Sequence, residues 1–142
     1  MAIEFSSKSL KYSEFSNFYA APFVIDGQTW QTVEHYFQAA KFLGDPLQEL
    51  IRTAKTPQQA KKLGRTRSPA FRADWETVKE SVMEIALKAK FTQNQPLADL
   101  LKSTGNTELR EKAFWDSYWG TGRNGKGRNR MGHLLQDLRD NL

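Results

Sequence analysis

The sequence predicts an α+β fold that is mainly α: a single compact multi-helical domain with a short N-terminal β-hairpin and strand region. Three observations carry this expectation. Segments with helical apolar spacing, bounded by capping residues, recur from about residue 32 onward and read as more than half of the chain. Strand-type patterning is confined mostly to the N-terminal part, around PFVIDGQTW. The 142 residues contain no internal repeat, low-complexity tract or linker-like stretch, so residues 1–142 read as one domain. A domain of that size buries roughly two thirds of its unfolded surface.

Taken in order, Asp26-Gly27 supplies the left-handed conformations of a tight turn between Phe23-Val24-Ile25 and Gln28-Thr29-Trp30. A helix follows Thr32, covers VEHYFQAAKFL and ends at Gly44. Asp45-Pro46 opens the next, with Asp45 as N-cap, Pro46 at the first helical position and Gln48 three residues past the cap. Thr56-Pro57 with Gln59 repeats that signature and leads to Gly64. GRTRSPAFRADW reads as a basic loop carrying Arg65, Arg67 and Arg72. Asp74 caps the longest helix, about residues 75 to 92, in which Val78, Val82, Ile85, Ala86 and Ala89 keep a helical period and mark the core spine. Pro96 opens a short helix through Leu97, Leu100 and Leu101 that Gly105 ends. The last helix starts at about Arg130, with Asn129 as its N-cap and Met131, Leu134, Leu135 and Leu138 as its buried stripe.

Composition limits the function. Hydrophobic residues make up 39% and charged residues 26% of the chain, and no apolar run approaches the roughly 18 residues of a membrane span. No membrane partner is expected. The absence of cysteine excludes disulfides, thiolate catalysis and zinc-thiolate sites. With an opening MAIEFSSKSLKYSEF that lacks the basic-then-apolar layout of a secretory signal, it points to a cytoplasmic protein. A net charge of +5 favours anionic partners, phosphates or nucleic acid. His35 and His133 sit in separate helical segments without zinc-site spacing, so no metal site is expected.

Three constellations could carry chemistry. In TVEHYFQAAKF, spacings of four and three place Glu34, Gln38 and Lys41 on one polar line, while Val33, Tyr36, Phe37 and Ala40 point elsewhere. Such a line is usually a solvated face. The aromatics around it (Phe15, Phe18, Tyr19, Phe23, Trp30, Phe37 and Phe42) instead suit a cleft, where a partly desolvated lysine is a nucleophile and a carboxylate moves protons. In ELREKAFWDSYWG, Glu111 and Asp116 form a carboxylate pair beside Tyr118 and Trp119, the ordinary equipment of glycosidic hydrolysis or simply surface acids. In WGTGRNGKGRNRMG, glycines 120, 122, 125 and 127 with Arg123, Lys126, Arg128 and Arg130 precede a helix. The loop suits a phosphate or pyrophosphate, or reads as a flexible basic loop. It matches neither a Walker loop nor a dinucleotide fingerprint, and no Ser-His-Asp order or nucleophile elbow is visible.

In order, FSNFYAAPFVIDGQTWQTVEHYFQAAKF, KLGRTRSPAFRADW, VMEIALKAKFTQN and WDSYWGTGRNGKGRNRMGHLL resemble the NADAR, or YbiA-like, family over about Tyr12 to Arg139. The resemblance implies a compact, mainly helical N-glycosidase that uses no cofactor and no metal. Its substrates join ribose C1 to an exocyclic amine. The lead expectation is ADP-ribosylated guanine in DNA or nucleotide, in an antitoxin-like role with a toxin partner. The phosphoribosylaminopyrimidine intermediates of riboflavin synthesis stand close behind. Carried onto this chain, the family's helix motif makes Lys41 the Schiff-base nucleophile and Glu34 its proton-transfer partner. Glu111 and Asp116 become orienting or acid/base groups at the site edge. Asn17, Phe18, Trp75 and Trp119 line the substrate, and Gly120, Gly122, Arg128 and Asn129 take its phosphates. Where many relatives carry a Ser/Thr-Pro pair between that Glu and Asp, this chain has Ala113-Phe114. Two other classes remain open: a non-catalytic NAD or ADP-ribose reader, and a nucleic-acid-binding module whose affinity falls steeply with salt.

Overall fold

Thr32, Asp45 and Thr56 each accept a backbone N–H from the turn that follows, so three helices start where the sequence places their caps. The computed structural model describes residues 1–142. Its elements are β1 (Ile3–Phe5), β2 (Phe23–Ile25), β3 (Gln28–Trp30), α1 (Val33–Ala39), α2 (Pro46–Arg52), α3 (Pro57–Leu63), α4 (Trp75–Gln93), α5 (Gln95–Ser103), β4 (Leu109–Glu111) and α6 (Arg130–Asp140). Single 3-10 turns stand at Ser13–Phe15 and Ala40–Phe42. Helix accounts for 46% of the chain, less than the half and more expected, and the class is α+β. The chain divides into two units, Ala20–Gln93 and Met1–Tyr19 with Asn94–Leu142.

In Ala20–Gln93, Asp26 and Gly27 take positive φ (51° and 79°) and turn β2 into β3, with Phe23 opposite Trp30. Both of those rings are buried. The helix α1 packs against α2, α3 and α4, which explains why six of its seven residues are buried, Glu34, His35 and Gln38 among them. The polar line is therefore an interior feature and not a solvated face. Gln48 does not complete a capping box: the Asp45 N–H already donates to the Phe42 carbonyl, and Gln48 Nε2 donates to the Ala39 carbonyl at 3.2 Å. In α4 the spine differs from the expected one. Ile85 is 49% exposed, and the buried set is Trp75, Val82, Met83, Ala86, Leu87, Ala89, Lys90 and Phe91. The inner stripe continues from Met83 through Ala86 and Leu87 to Lys90. Helical position outranks hydrophobicity there, so a lysine is buried where an isoleucine is not.

In the other unit, β1 pairs with β4 in parallel, Ile3 opposite Leu109 and Phe5 opposite Glu111. β structure is thus mostly N-terminal, as expected, with the three-residue β4 as the one strand outside that part. Phe5 meets Phe15 edge-on at 5.7 Å. The helix α6 packs on β4 and α5, and Arg139 ties the end of α5 to α6 through Nη1, which donates to Thr104 Oγ1 and the Thr107 carbonyl. Asn129 stands at the N-cap position of α6 but makes no side-chain cap; it has φ 50°. Its Nδ2 donates to the Leu109 carbonyl and its Oδ1 accepts the Glu111 N–H, both at 2.9 Å, so the amide stitches β4 to the start of α6.

Candidate active site

The sequence of α1 puts Glu34 and Gln38 one turn apart, and the 3-10 turn that follows carries Lys41 onward on the same side. Burial by the surrounding helices leaves Glu34 only 7% and Gln38 5% exposed. Gln38 Nε2 donates to Glu34 Oε2 at 2.6 Å, a short charge-assisted bond. Lys41 Nζ lies 5.8 Å from the ring centres of both Phe37 and Trp75, which themselves meet edge-on at 4.9 Å. Burial holds the Lys41 amine below its ordinary range. Glu34 acts against that shift, Arg65 with it, Glu76 against it and Lys61 with it, in falling order of size. A lysine poised in this way offers more free amine near neutrality than an exposed one. Trp75, at the start of α4, is 5% exposed and forms a wall beside the amine. The backbone closes the arrangement from outside the helix: the Arg72 N–H donates to the Lys41 carbonyl at 2.9 Å. Arg72 itself pairs with Asp74, leaving the exposed Arg65 and Arg67 as the open cations of that loop.

His35 belongs to the same helix but faces structural partners. Its Nδ1 is 2.8 Å from Thr32 Oγ1 and its Nε2 is 2.9 Å from the Ala54 carbonyl. Burial pushes its pKa down.

The second set of expected residues gathers in the other unit. Asp116 Oδ1 accepts the N–H groups of Tyr118 and Trp119, each at 2.9 Å, and so sets the turn that presents Trp119. Trp119 is half-buried and meets Tyr118 edge-on at 4.9 Å. The Arg128 guanidinium lies 4.8 Å from the Tyr118 ring centre. Glu111 is half-buried in β4, and its carbonyl accepts from Thr121 N and Oγ1. Asn17 is buried and Phe18 half-buried just after the 3-10 turn at Ser13–Phe15, with the Phe18 N–H donating to Ser16 Oγ.

The glycine loop differs from an anion cradle built of free amides at the start of α6. Instead the N–H groups of Arg128, Asn129, Arg130 and Met131 donate to the carbonyls of Ser117, Gly120, Tyr118 and Trp119, at 2.7 to 3.0 Å. Two of the glycines serve close backbone approach: a Cβ on Gly127 would stand 2.6 Å from the Gly120 oxygen, and one on Gly120 2.8 Å from Ala113 Cβ. Gly122 and Gly125 supply positive φ. What the loop turns outward is side-chain charge, with Arg123, Lys126 and Arg128 exposed.

The NADAR domain family model matches residues 4–142. This chain belongs to the NADAR family. It is 51% identical over 140 residues to the N-glycosidase YbiA of Shigella flexneri serotype 5b, covering 99% of this chain and 88% of that one. It is 40% identical over 127 residues to the riboflavin biosynthesis protein VVA0006 of Vibrio vulnificus, covering 89% of this chain and 35% of that one. The NMR structure of the Escherichia coli protein YbiA superimposes with a TM-score of 0.90 at 49% identity, covering 99% of this chain and 84% of that one.

Within this NADAR chain, one neighbour of the Glu34–Lys41 line, Gly64, escapes the sequence reading, and Phe37, expected to point away from the line yet counted among the aromatics around it, has its ring beside the amine as Trp75 does. Gly64 reads as the end of a helix, but it has ordinary helical angles (φ −65°, ψ −12°) that any residue adopts. Its need for glycine is steric and comes from Gln38, which no local pattern reveals. No helix is long and apolar enough to cross a membrane, and no three His, Cys, Asp or Glu side chains cluster as a metal ligand set.

Proposed function

We propose that this chain is an N-glycosidase that hydrolyses the bond between ribose C1 and the exocyclic amine of a heterocycle, with Lys41 as nucleophile. The observation that carries the reading is the Lys41 amine, lowered in pKa by burial, beside the rings of Phe37 and Trp75 and within the field of a buried carboxylate, Glu34. A non-catalytic reader has no use for that combination.

A glycosylamine opens its sugar ring to an iminium at C1, with a proton delivered to the ring oxygen. The neutral Lys41 Nζ adds to C1. The exocyclic amine leaves with a proton, and the C1–Nζ bond becomes a Schiff base. Water adds to that carbon, and collapse frees Lys41 and the ribosyl aldehyde, which recloses. Glu34 carries the protons between these steps. No step calls on a metal or cofactor. In the other unit, taken by itself, Asp116 shapes the turn before Trp119, and the exposed side chains of Arg123, Lys126 and Arg128, rather than backbone amides, carry charge that suits a phosphate.

Between the two substrate classes, the phosphoribosylaminopyrimidine now leads. A relative is named for riboflavin biosynthesis, and the closed backbone of the glycine loop weakens the case for a pyrophosphate cradle. ADP-ribosylated guanine is the second reading, favoured by the exposed Arg65 and Arg67 beside the lysine-bearing helix. The test is turnover of the phosphoribosylaminopyrimidine and release of ADP-ribose from guanine-ADP-ribosylated DNA, by wild type and Lys41→Ala, with and without EDTA. Borohydride should trap a substrate adduct on the wild type alone, and EDTA should leave turnover intact. Near-normal turnover by Lys41→Ala would overturn the role of the lysine; turnover of neither substrate would favour a binding module.

A further inference from the structure

Gln38 carries one hydrogen bond from its carboxamide nitrogen, to Glu34, while its Oε1 is buried and accepts none. A buried carboxamide with an unmade bond is not placed there for its own satisfaction. Its position is set from the other side by Gly64. A Cβ built on Gly64 would fall on the Gln38 amide, 2.7 Å from Cδ with Oε1 closer still, and 3.0 Å from Gln38 Cβ. Because Gly64 has ordinary helical angles, alanine there would otherwise be neutral or favourable. The glycine is required by the amide, and the amide is aimed at the carboxylate.

We propose that Gly64 and Gln38 form a positioning device for Glu34, in which the missing Cβ leaves a notch that holds the Gln38 carboxamide against the Glu34 carboxylate. The proposal rests on the catalytic reading of Glu34 and deepens it, since neither Gln38 nor Gly64 touches the reacting atoms in that mechanism. The notch fixes both the direction of the carboxylate and the donor that favours its ionised form. Gln38 is a poor surrogate for a proton carrier, as an amide does not titrate. Its contribution is geometric and electrostatic. The other charged groups of the neighbourhood are Lys41 on the turn after α1, Lys61 of α3, Arg65 beyond it and Glu76 of α4, with His35 on α1 itself; all of them stay in place in the variants below.

The experiment compares wild type, Gly64→Ala, Gln38→Ala, the double variant and Glu34→Gln. Two readouts are taken: the carboxyl 13C titration of Glu34 by NMR, and kcat and KM with the phosphoribosylaminopyrimidine and with guanine-ADP-ribosylated DNA. Gly64→Ala should fold, because the atoms its Cβ meets first are the far end of a flexible side chain. The double variant provides a second folded case in which that side chain is gone. Expected are a fall in kcat of about tenfold or more in each single variant with little change in KM, and no further fall in the double variant. The Glu34 titration should move to higher pH in all three. An unmoved Glu34 titration in Gln38→Ala overturns the proposal, as do losses that multiply between Gly64→Ala and Gln38→Ala. Full turnover by Glu34→Gln would instead sink the catalytic reading of Glu34 and leave the NMR titrations to decide the notch by themselves.

Discussion

Lys41 Nζ lies 5.8 Å from the centre of the Trp75 ring. A ring at that distance acts in two opposed ways: its face attracts a cation, and its bulk keeps water away from one. Burial is the largest influence on this amine, and it holds the pKa below the ordinary lysine range. The charged neighbours then tune the residue in known directions. Glu34→Gln removes a group that raises the Lys41 pKa and should lower it further; Arg65→Gln removes one that lowers it and should raise it. The pH dependence of reductive methylation at Lys41 measures both. A reversed order would show that Glu34 and Lys41 do not share a field.

Asp116 is expected to orient rather than to transfer protons, because one of its oxygens already holds the N–H groups of Tyr118 and Trp119. An Asn side chain offers the same acceptor in the same place. Asp116→Asn should therefore keep most of the turnover, while Asp116→Ala loses the turn, with a stability loss of about 1 kcal/mol and a raised KM. Steady-state kinetics of the pair decide the matter. If Asn is as damaging as Ala and kcat carries the loss, Asp116 is an acid or base.

The caps at Thr32, Asp45 and Thr56 and the turn at Asp26-Gly27 were legible because each is a contract between residues two to four apart. The β1–β4 pair was not, since it joins three-residue segments more than a hundred positions apart, one of them LRE with a single apolar residue. The same division runs through the site. Spacing alone aligned Glu34, Gln38 and Lys41, but their burial comes from α2, α3 and α4 closing around α1. A glycine-rich basic stretch announced a loop, yet the loop's own carbonyls, arriving from residues 117 to 120, take the amides that an anion was expected to use. Gly64 shows the limit most plainly: its backbone angles give no reason for glycine, and the reason lies on another helix.

His35 ties the start of α1 to Ala54, two residues past the end of α2, and burial favours its neutral form. Thr32 Oγ1 accepts the His35 backbone N–H at 3.1 Å, so its own proton is available to Nδ1 at 2.8 Å. The Nε2 then carries the hydrogen and donates to the Ala54 carbonyl. This tautomer follows from the hydrogen-bond network. With the folded pKa below the unfolded value of about 6.5, the unfolded chain binds the extra proton first on acidification. The contribution of His35 is thus complete above about pH 6.5 and is lost as pH falls through the folded midpoint. Urea denaturation of wild type and His35→Gln from pH 8 to pH 5 should show the wild-type advantage shrinking toward acid. An advantage that stays constant over that range would refute the assignment.

Gly125 and Gly127 sit two residues apart in one loop and need glycine for different reasons, which one substitution separates. Gly125 has φ 76° and open space around the position of a Cβ, with only Arg110 Nη2 at 3.8 Å. Asparagine tolerates that left-handed conformation better than other non-glycine residues do. Gly127 lacks the positive φ, but a Cβ there would stand 2.6 Å from the Gly120 oxygen and 2.6 Å from the Thr121 carbonyl carbon. Both contacts are backbone, and neither can swing aside. Gly125→Asn should therefore lower stability by about 1 kcal/mol or less. Gly127→Asn should lower it by about 1–3 kcal/mol, by forcing apart the 2.6 Å bond from its own N–H to the Thr121 carbonyl and the neighbouring 2.7 Å bond from Arg128 to Ser117. Thermal denaturation ranks the two variants. Equal losses would mean that the loop is loose enough to move away from a side chain at residue 127. In that case the amides of Arg128 to Met131 are not held by carbonyls in solution, and an anion could reach them after all.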